Sequence, residues 1–129
     1  MKILLGCLLA LLVSGCAMAP SQQEMAAADY GSPIAQDVAQ AKVIEFLSHT
    51  LKDPESARIE WGMIEKGWVK DGAVYGGATV FGYGLSARVN AKNSFGGYVG
   101  AEPYFFLFRN GDLVRAQKVD PQGLVTRLQ

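Results

Sequence analysis

Leu85-Ser86-Ala87-Arg88-Val89-Asn90-Ala91-Lys92 places an apolar side chain at every second position and a polar one between. A β-strand turns successive side chains to opposite faces, so this period of two predicts a strand with one face in a core and the other in water. Outward from it, alternation recurs near residues 58–65, through 79–91 as a whole, and at 103–109 and 112–119. Asn110-Gly111, between the last two segments, suits a two-residue type I′ turn, in which both central residues need positive φ. An antiparallel hairpin is expected there. Residues 66–78 are less regular: Asp71-Gly72 suits a second hairpin turn and Gly76-Gly77 a bulge or a strand break.

Between residues 33 and 52 the period becomes helical. Val43, Leu47 and Leu51 recur at i, i+4 and i+8, and Ala39, Ile44 and Phe46 widen the stripe. Asp37, Lys42, Glu45 and His49 fall on the flanks and the far side. Ser32-Pro33 suits an N-cap and first helical residue, while Asp53-Pro54 ends the helix because a residue before proline is steered out of the α region. Asp53 then suits the cap of a short turn through 55–57. His49, the one histidine, lies beside Glu45 on the solvated side, which favours an exposed imidazole over a general base or metal ligand. The expected fold class is α+β: one amphipathic N-terminal helix packed on an antiparallel sheet of three to four strands, in a single small domain over residues 34–129.

Ahead of that domain, Lys2 precedes an apolar run from Ile3 to Val13, followed by Ser14-Gly15-Cys16. A helix needs about 20 apolar residues to span a bilayer, so this shorter run reads as a secretory signal and not as a permanent anchor. Val13-Ser14-Gly15-Cys16 resembles the lipobox of bacterial lipoproteins. The resemblance implies diacylglyceryl transfer to the Cys16 thiol, cleavage before Cys16 and loss of residues 1–15; the alternative is a plain secretory signal cut after Ala17 or Ala19. Loss of 1–15 removes Lys2 and no acidic residue, leaving Lys+Arg one below the twelve Asp+Glu. No cationic excess remains to hold phosphates, which argues against a nucleic acid partner. Of the two cysteines, Cys7 leaves with the signal and Cys16 takes the lipid, so no disulfide is expected. A zinc site of the usual ligands is not expected either, and neither is any other metal or cofactor. Residues 16–33 form the lipidated cysteine and a flexible tether rich in Ala, Ser, Gln and Pro. As a random coil this tether spans roughly 20 to 25 Å. Helix formers between Gln23 and Ala28 leave a weak helical turn open. In enteric bacteria Asp after the lipidated cysteine commonly signals inner-membrane retention; with Ala17 in that place, the resemblance implies the outer membrane, with the domain facing the periplasm.

The candidate site is the segment Asn90-Ala91-Lys92-Asn93-Ser94-Phe95-Gly96-Gly97-Tyr98. Asn90, Asn93 and Ser94 offer amide and hydroxyl groups, Lys92 a cation, and Phe95 and Tyr98 flat apolar plates. This set suits a peptide, a glycan or a protein partner. It equally suits a structural turn, in which Asn and Gly accept positive φ, the polar side chains bond their own backbone and the aromatics cap the core. Together with Leu51-Lys52-Asp53-Pro54-Glu55-Ser56-Ala57 and Pro103-Tyr104-Phe105-Phe106, the segment resembles a family of small, uncharacterised bacterial envelope lipoproteins. The resemblance covers roughly residues 46–109 and implies a compartment and a fold, but no activity.

No catalytic set is legible. An enzyme needs a nucleophile with a base or two convergent carboxylates, and nothing in the spacing of Glu102, Asp112 and Asp120, or of Lys92 and Ser94, brings such groups together. The expected function is a non-catalytic binding or structural module held to the membrane by its N-terminal lipid, with an envelope protein or peptidoglycan as partner. Two alternatives are an inhibitor of a cell-wall hydrolase, with the loop as plug, and a small-ligand-binding lipoprotein.

Overall fold

The alternating segment forms the end of the longest strand in a computed structural model that describes residues 19–129. Cys16 and the signal segment lie outside the described residues. The strands are β1 (Asp53–Trp61), β2 (Glu65–Lys70), β3 (Thr79–Lys92), β4 (Glu102–Arg109), β5 (Asp112–Val119) and β6 (Val125–Arg127). They form one antiparallel sheet in the order β1-β3-β4-β5-β6, with β2 also paired to β3. The expectation of one helix on three to four strands is therefore corrected, among the described residues, to six strands and two helices, α1 (Gln22–Ala27) and α2 (Gln36–Thr50).

Two local departures explain most of the difference. The stretch expected at 58–65 breaks at Gly62, so that β1 and β2 lie one after the other along the same edge of β3. Gln36, the first residue of α2, splints the break: its Nε2 donates to the Gly62 carbonyl and its Oε1 accepts from the Ile64 N–H, both at 2.8 Å. The irregular stretch carries a 3-10 turn at Ala73–Tyr75 and two glycines at positive φ, Gly76 and Gly77, closed by a bond from the Asp71 N–H to the Ala78 carbonyl. The turn thus spans 71–78 instead of sitting at Asp71-Gly72. At the other hairpin, Asn110 and Gly111 both have positive φ, as a type I′ turn requires.

Leu85, Ala87 and Val89 meet Tyr104, Phe106 and Phe108 on one face of the sheet, and α2 covers them with Ala39, Val43 and Leu47. Burying a side chain such as Leu47 contributes about 1.5–3 kcal/mol. Ile44, expected in the stripe, is instead 54% exposed, because α2 touches the sheet along the narrower 39-43-47 line. The helix also begins later than Ser32-Pro33. Its N-cap is Ala35, since the Ser32 N–H donates to Asn110 Oδ1 and Ile34 enters the core, which holds that stretch extended. At its other end, 53–57 is a bulged start to β1 in place of a helical turn, although Asp53 Oδ1 accepts from the Ser56 N–H at 3.3 Å.

Within the segment expected as a tether, α1 has no buried residue, whereas Asp29, Tyr30 and Ser32 are seated on the domain. Ser21 and Glu24 cap α1 reciprocally, bonding each other's backbone N–H. Further on, the Tyr30 ring meets Phe81 and Tyr83 edge-on, and Arg109 binds the carboxylate and carbonyl of Asp29.

The opposite face of the sheet has a smaller buried set, Val69 and Leu107, and a cluster of ions. Asp71, 8% exposed, is gripped by Arg115 through two bonds of 2.8 and 2.6 Å, and Arg127 of β6 stands 3.5 Å away. The Arg115 hydrogen bonds hold the Asp71 carboxyl below the usual carboxylate range despite burial. Phe105 lies across the same face over Gly67 and Gly84. A Cβ at Gly84 would come within 2.5 Å of the ring.

Candidate functional site

The two motifs that were distant in sequence form one structural unit. Between Asp53 and Arg58, β1 carries five steps against two on β3, from Lys92 to Asn90, and the extra residues loop out around Ser56. The Ser56 Oγ accepts from the Lys92 N–H at 2.9 Å and donates to the Asp53 carbonyl at 2.7 Å. Tyr98 closes the unit by donating its hydroxyl to the Ser56 carbonyl at 3.0 Å, while an isolated bridge pairs Lys92 with Tyr98. Over the Tyr98 ring sit the Arg58 guanidinium at 4.2 Å and the Lys92 ammonium at 5.5 Å. Such stacking holds a cation against an aromatic face by its quadrupole. Ser56 was read from the sequence only as part of a capped turn. Its actual role depends on a partner 36 residues away, for which no local signal exists.

Beyond Lys92 the loop supports itself. Asn93 Oδ1 accepts from the backbone N–H groups of Phe95 and Gly97, and the Asn93 N–H donates to the Gly97 carbonyl. Asn90 Oδ1 accepts from the Gly100 N–H at 3.1 Å. Gly96 and Gly100 take positive φ, which a side chain would resist. Asn90, Asn93 and Tyr98 are thus engaged in holding the loop. Ser94 makes no side-chain bond among the described residues, and Phe95 caps no core: its side chain stands 96% exposed at the loop tip.

Beside the loop is a cleft of about 420 Å³ between the end of α2, the ends of β3 and β5 and the start of β4. Val89, Ala91 and Leu128 supply its apolar lining, while Lys52, Lys92, Lys118 and Glu102 bring charge. Tyr104, 6% exposed, also lines it; burial, and secondarily the Glu102 charge, push its phenol above the ordinary value. A second, more open groove of about 490 Å³ on the helix-free face is lined by Glu60, Arg88 and Phe105 among others. The Arg88–Glu60 pair there is 3.8 Å apart and largely solvated.

The carboxylates considered for catalysis stay apart. Glu102 pairs with Lys118 at 3.5 Å, and Asp120 accepts two backbone N–H bonds in the turn before β6. Among the described residues no three His, Cys, Asp or Glu side chains are grouped to hold a metal, and no helix is long and apolar enough to cross a membrane. No protein family, curated protein or solved structure matches the chain.

Proposed function

We propose that the chain is an envelope lipoprotein, fastened through Cys16 to the outer membrane, whose periplasmic domain is a non-catalytic binding module that contacts an envelope protein or peptidoglycan through the loop after β3. The observation that carries the reading is Phe95: a large apolar side chain held in water at the tip of a loop whose backbone is braced by Asn90, Asn93 and Tyr98. An aromatic on a pre-ordered loop loses little entropy when a partner covers it, and such side chains carry a large share of interface energy. Support for the anchor comes from Val13-Ser14-Gly15-Cys16 after its apolar run and from the resemblance of the mature motifs to envelope lipoproteins.

Crosslinking in living cells from position 95, compared with a Phe95→Ala pull-down from detergent-solubilised envelopes, tests the module. The expected result is a crosslinked species that the alanine variant fails to capture; identical partner lists remove the loop from the proposal. Palmitate labelling tests the anchor separately, with label expected on the wild type and absent from Cys16→Ser.

A further inference from the structure

On the helix-free face of the sheet, beside the braced loop, cations outnumber carboxylates. Register pairs Arg58 with Asn90 and Glu60 with Arg88, so alternation along β3 sets Arg88, Asn90 and Lys92 on one face, with Arg58 between the two β3 cations. Glu60 meets Arg88 at 3.8 Å with both side chains largely in water, and Asp53, in register with Lys92, turns its Oδ1 to the Ser56 N–H. Neither Arg58 nor Lys92 has an ion-pair partner among the described residues. Both stack on Tyr98, the guanidinium at 4.2 Å and the ammonium at 5.5 Å from the ring centre. Stacking holds a guanidinium by its flat side and leaves its in-plane N–H donors free for a carboxylate. Past Arg88 the same face continues into the open groove of about 490 Å³, where Pro103, Phe105 and Val119 give an apolar lining.

Arg88 and Lys92 stand four residues apart on one strand, roughly 13 Å. One small anion cannot meet both of them together with Arg58, so the stripe fits a ligand that repeats its negative charge along a chain. An extended polymer can follow a groove, whereas a flat bilayer surface cannot enter one. Tyr98, and Phe95 at the tip of the same loop, offer apolar plates to the C–H faces of sugar rings. We infer that this face docks a glycan strand whose side peptides carry repeated carboxylates, the polymer of the bacterial wall. The inference rests on the reading of the chain as a binding module in the envelope and selects peptidoglycan, not a protein, as its partner. In the complex, Arg58, Arg88 and Lys92 meet successive carboxylates and the aromatic plates pack on the glycan. Glu60 opposes the polymer and limits its affinity.

Co-sedimentation of the whole chain in a neutral detergent with purified insoluble peptidoglycan tests the face. Native wall is expected to carry the chain into the pellet, to release it as salt is added, and to bind it about tenfold or more tightly than wall whose carboxyls have been converted to methyl amides. Arg58→Gln with Arg88→Gln and Lys92→Gln is expected to weaken binding to native wall about tenfold or more. Glu60→Gln is expected to tighten it, a gain that general damage to the fold would not produce. Crosslinking in living cells from position 86, which is exposed on the same face, is expected to give a product that a muramidase releases from the wall. A product of discrete protein mass that the muramidase leaves unchanged overturns the inference in favour of a protein partner. Equal binding to native and amidated wall, or wild-type affinity in the triple variant, also overturns it. If neither wall preparation binds while Phe95-dependent capture of a protein persists, the wall ligand falls and the module stands. If native wall binds through its carboxyls and Phe95→Ala captures the same partners as wild type, the loop falls and the cationic face stands.

Discussion

The two faces of the sheet are built on opposite rules. Between α2 and the sheet lies a dry layer of Val43, Leu85, Phe106 and Phe108, each fully buried and none carrying charge. On the other face Val69 and Leu107 share space with an Asp71–Arg115–Arg127 cluster and a floor of glycines. The first face gains from simple area removed from water and tolerates approximate shapes. The second depends on particular pairs, where losing one member leaves its partner stranded.

Phe106→Ala should have the largest effect, about 3–5 kcal/mol in urea unfolding, since it empties the centre of the dry layer. Asp71→Asn should cost about 3 kcal/mol, the lower end for breaking a buried pair, because Arg115 keeps a fifth of its side-chain surface in water. Replacing both partners, Asp71→Leu with Arg115→Met, should recover most of that loss; failure to recover would show that the cluster does more than satisfy its own charges. Acid gives a second handle on this face. The folded pKa of Asp71 lies below its unfolded value, so its contribution is complete above about pH 4 and disappears as pH falls through the folded value. Amide protection of β6, which Arg127 ties to Asp71, should therefore decline in that acid window before protection of β3 does. Gly82→Ala should cost about 2 kcal/mol, because the added Cβ runs into the carbonyl oxygen of Phe108 and backbone must give way. At the bottom of the scale, Arg88→Ala on the open face should stay within about 0.5 kcal/mol, since its pairing with Glu60 is exposed on both sides.

The same contrast explains what the sequence makes legible. Alternation at 85–91 reports directly on the dry face, because each residue's neighbours two positions away share its environment; Asn110-Gly111 reports on a turn for the same local reason. Asp71 and Arg115 meet across 44 residues, and neither position carries a local mark of the other. Asp71-Gly72 therefore resembles a turn, and the true role of Asp71 emerges only when Arg115 of β5 reaches it over the face of the sheet, with β3 and β4 lying between β2 and β5. The strand count was short for a related reason. β6 has only three residues, all exposed, so it has no apolar period to detect, and the single stretch read near 58–65 is two strands, β1 and β2, parted at Gly62. At the candidate site the loop residues were visible from their chemistry. The division between those that brace it and the one that projects depended on hydrogen bonds at a scale no pattern encodes.

The seating of Asp29 and Tyr30 against Arg109 and Phe81 gives the domain a polarity. That seat lies at the Phe81 end of β3, and the braced loop follows its Lys92 end, roughly 35 Å away along the strand. Phe95 therefore projects from the pole of the domain farthest from Asp29, and Arg109, bonded to both the carbonyl and the carboxylate of Asp29, is the rivet that fixes this order.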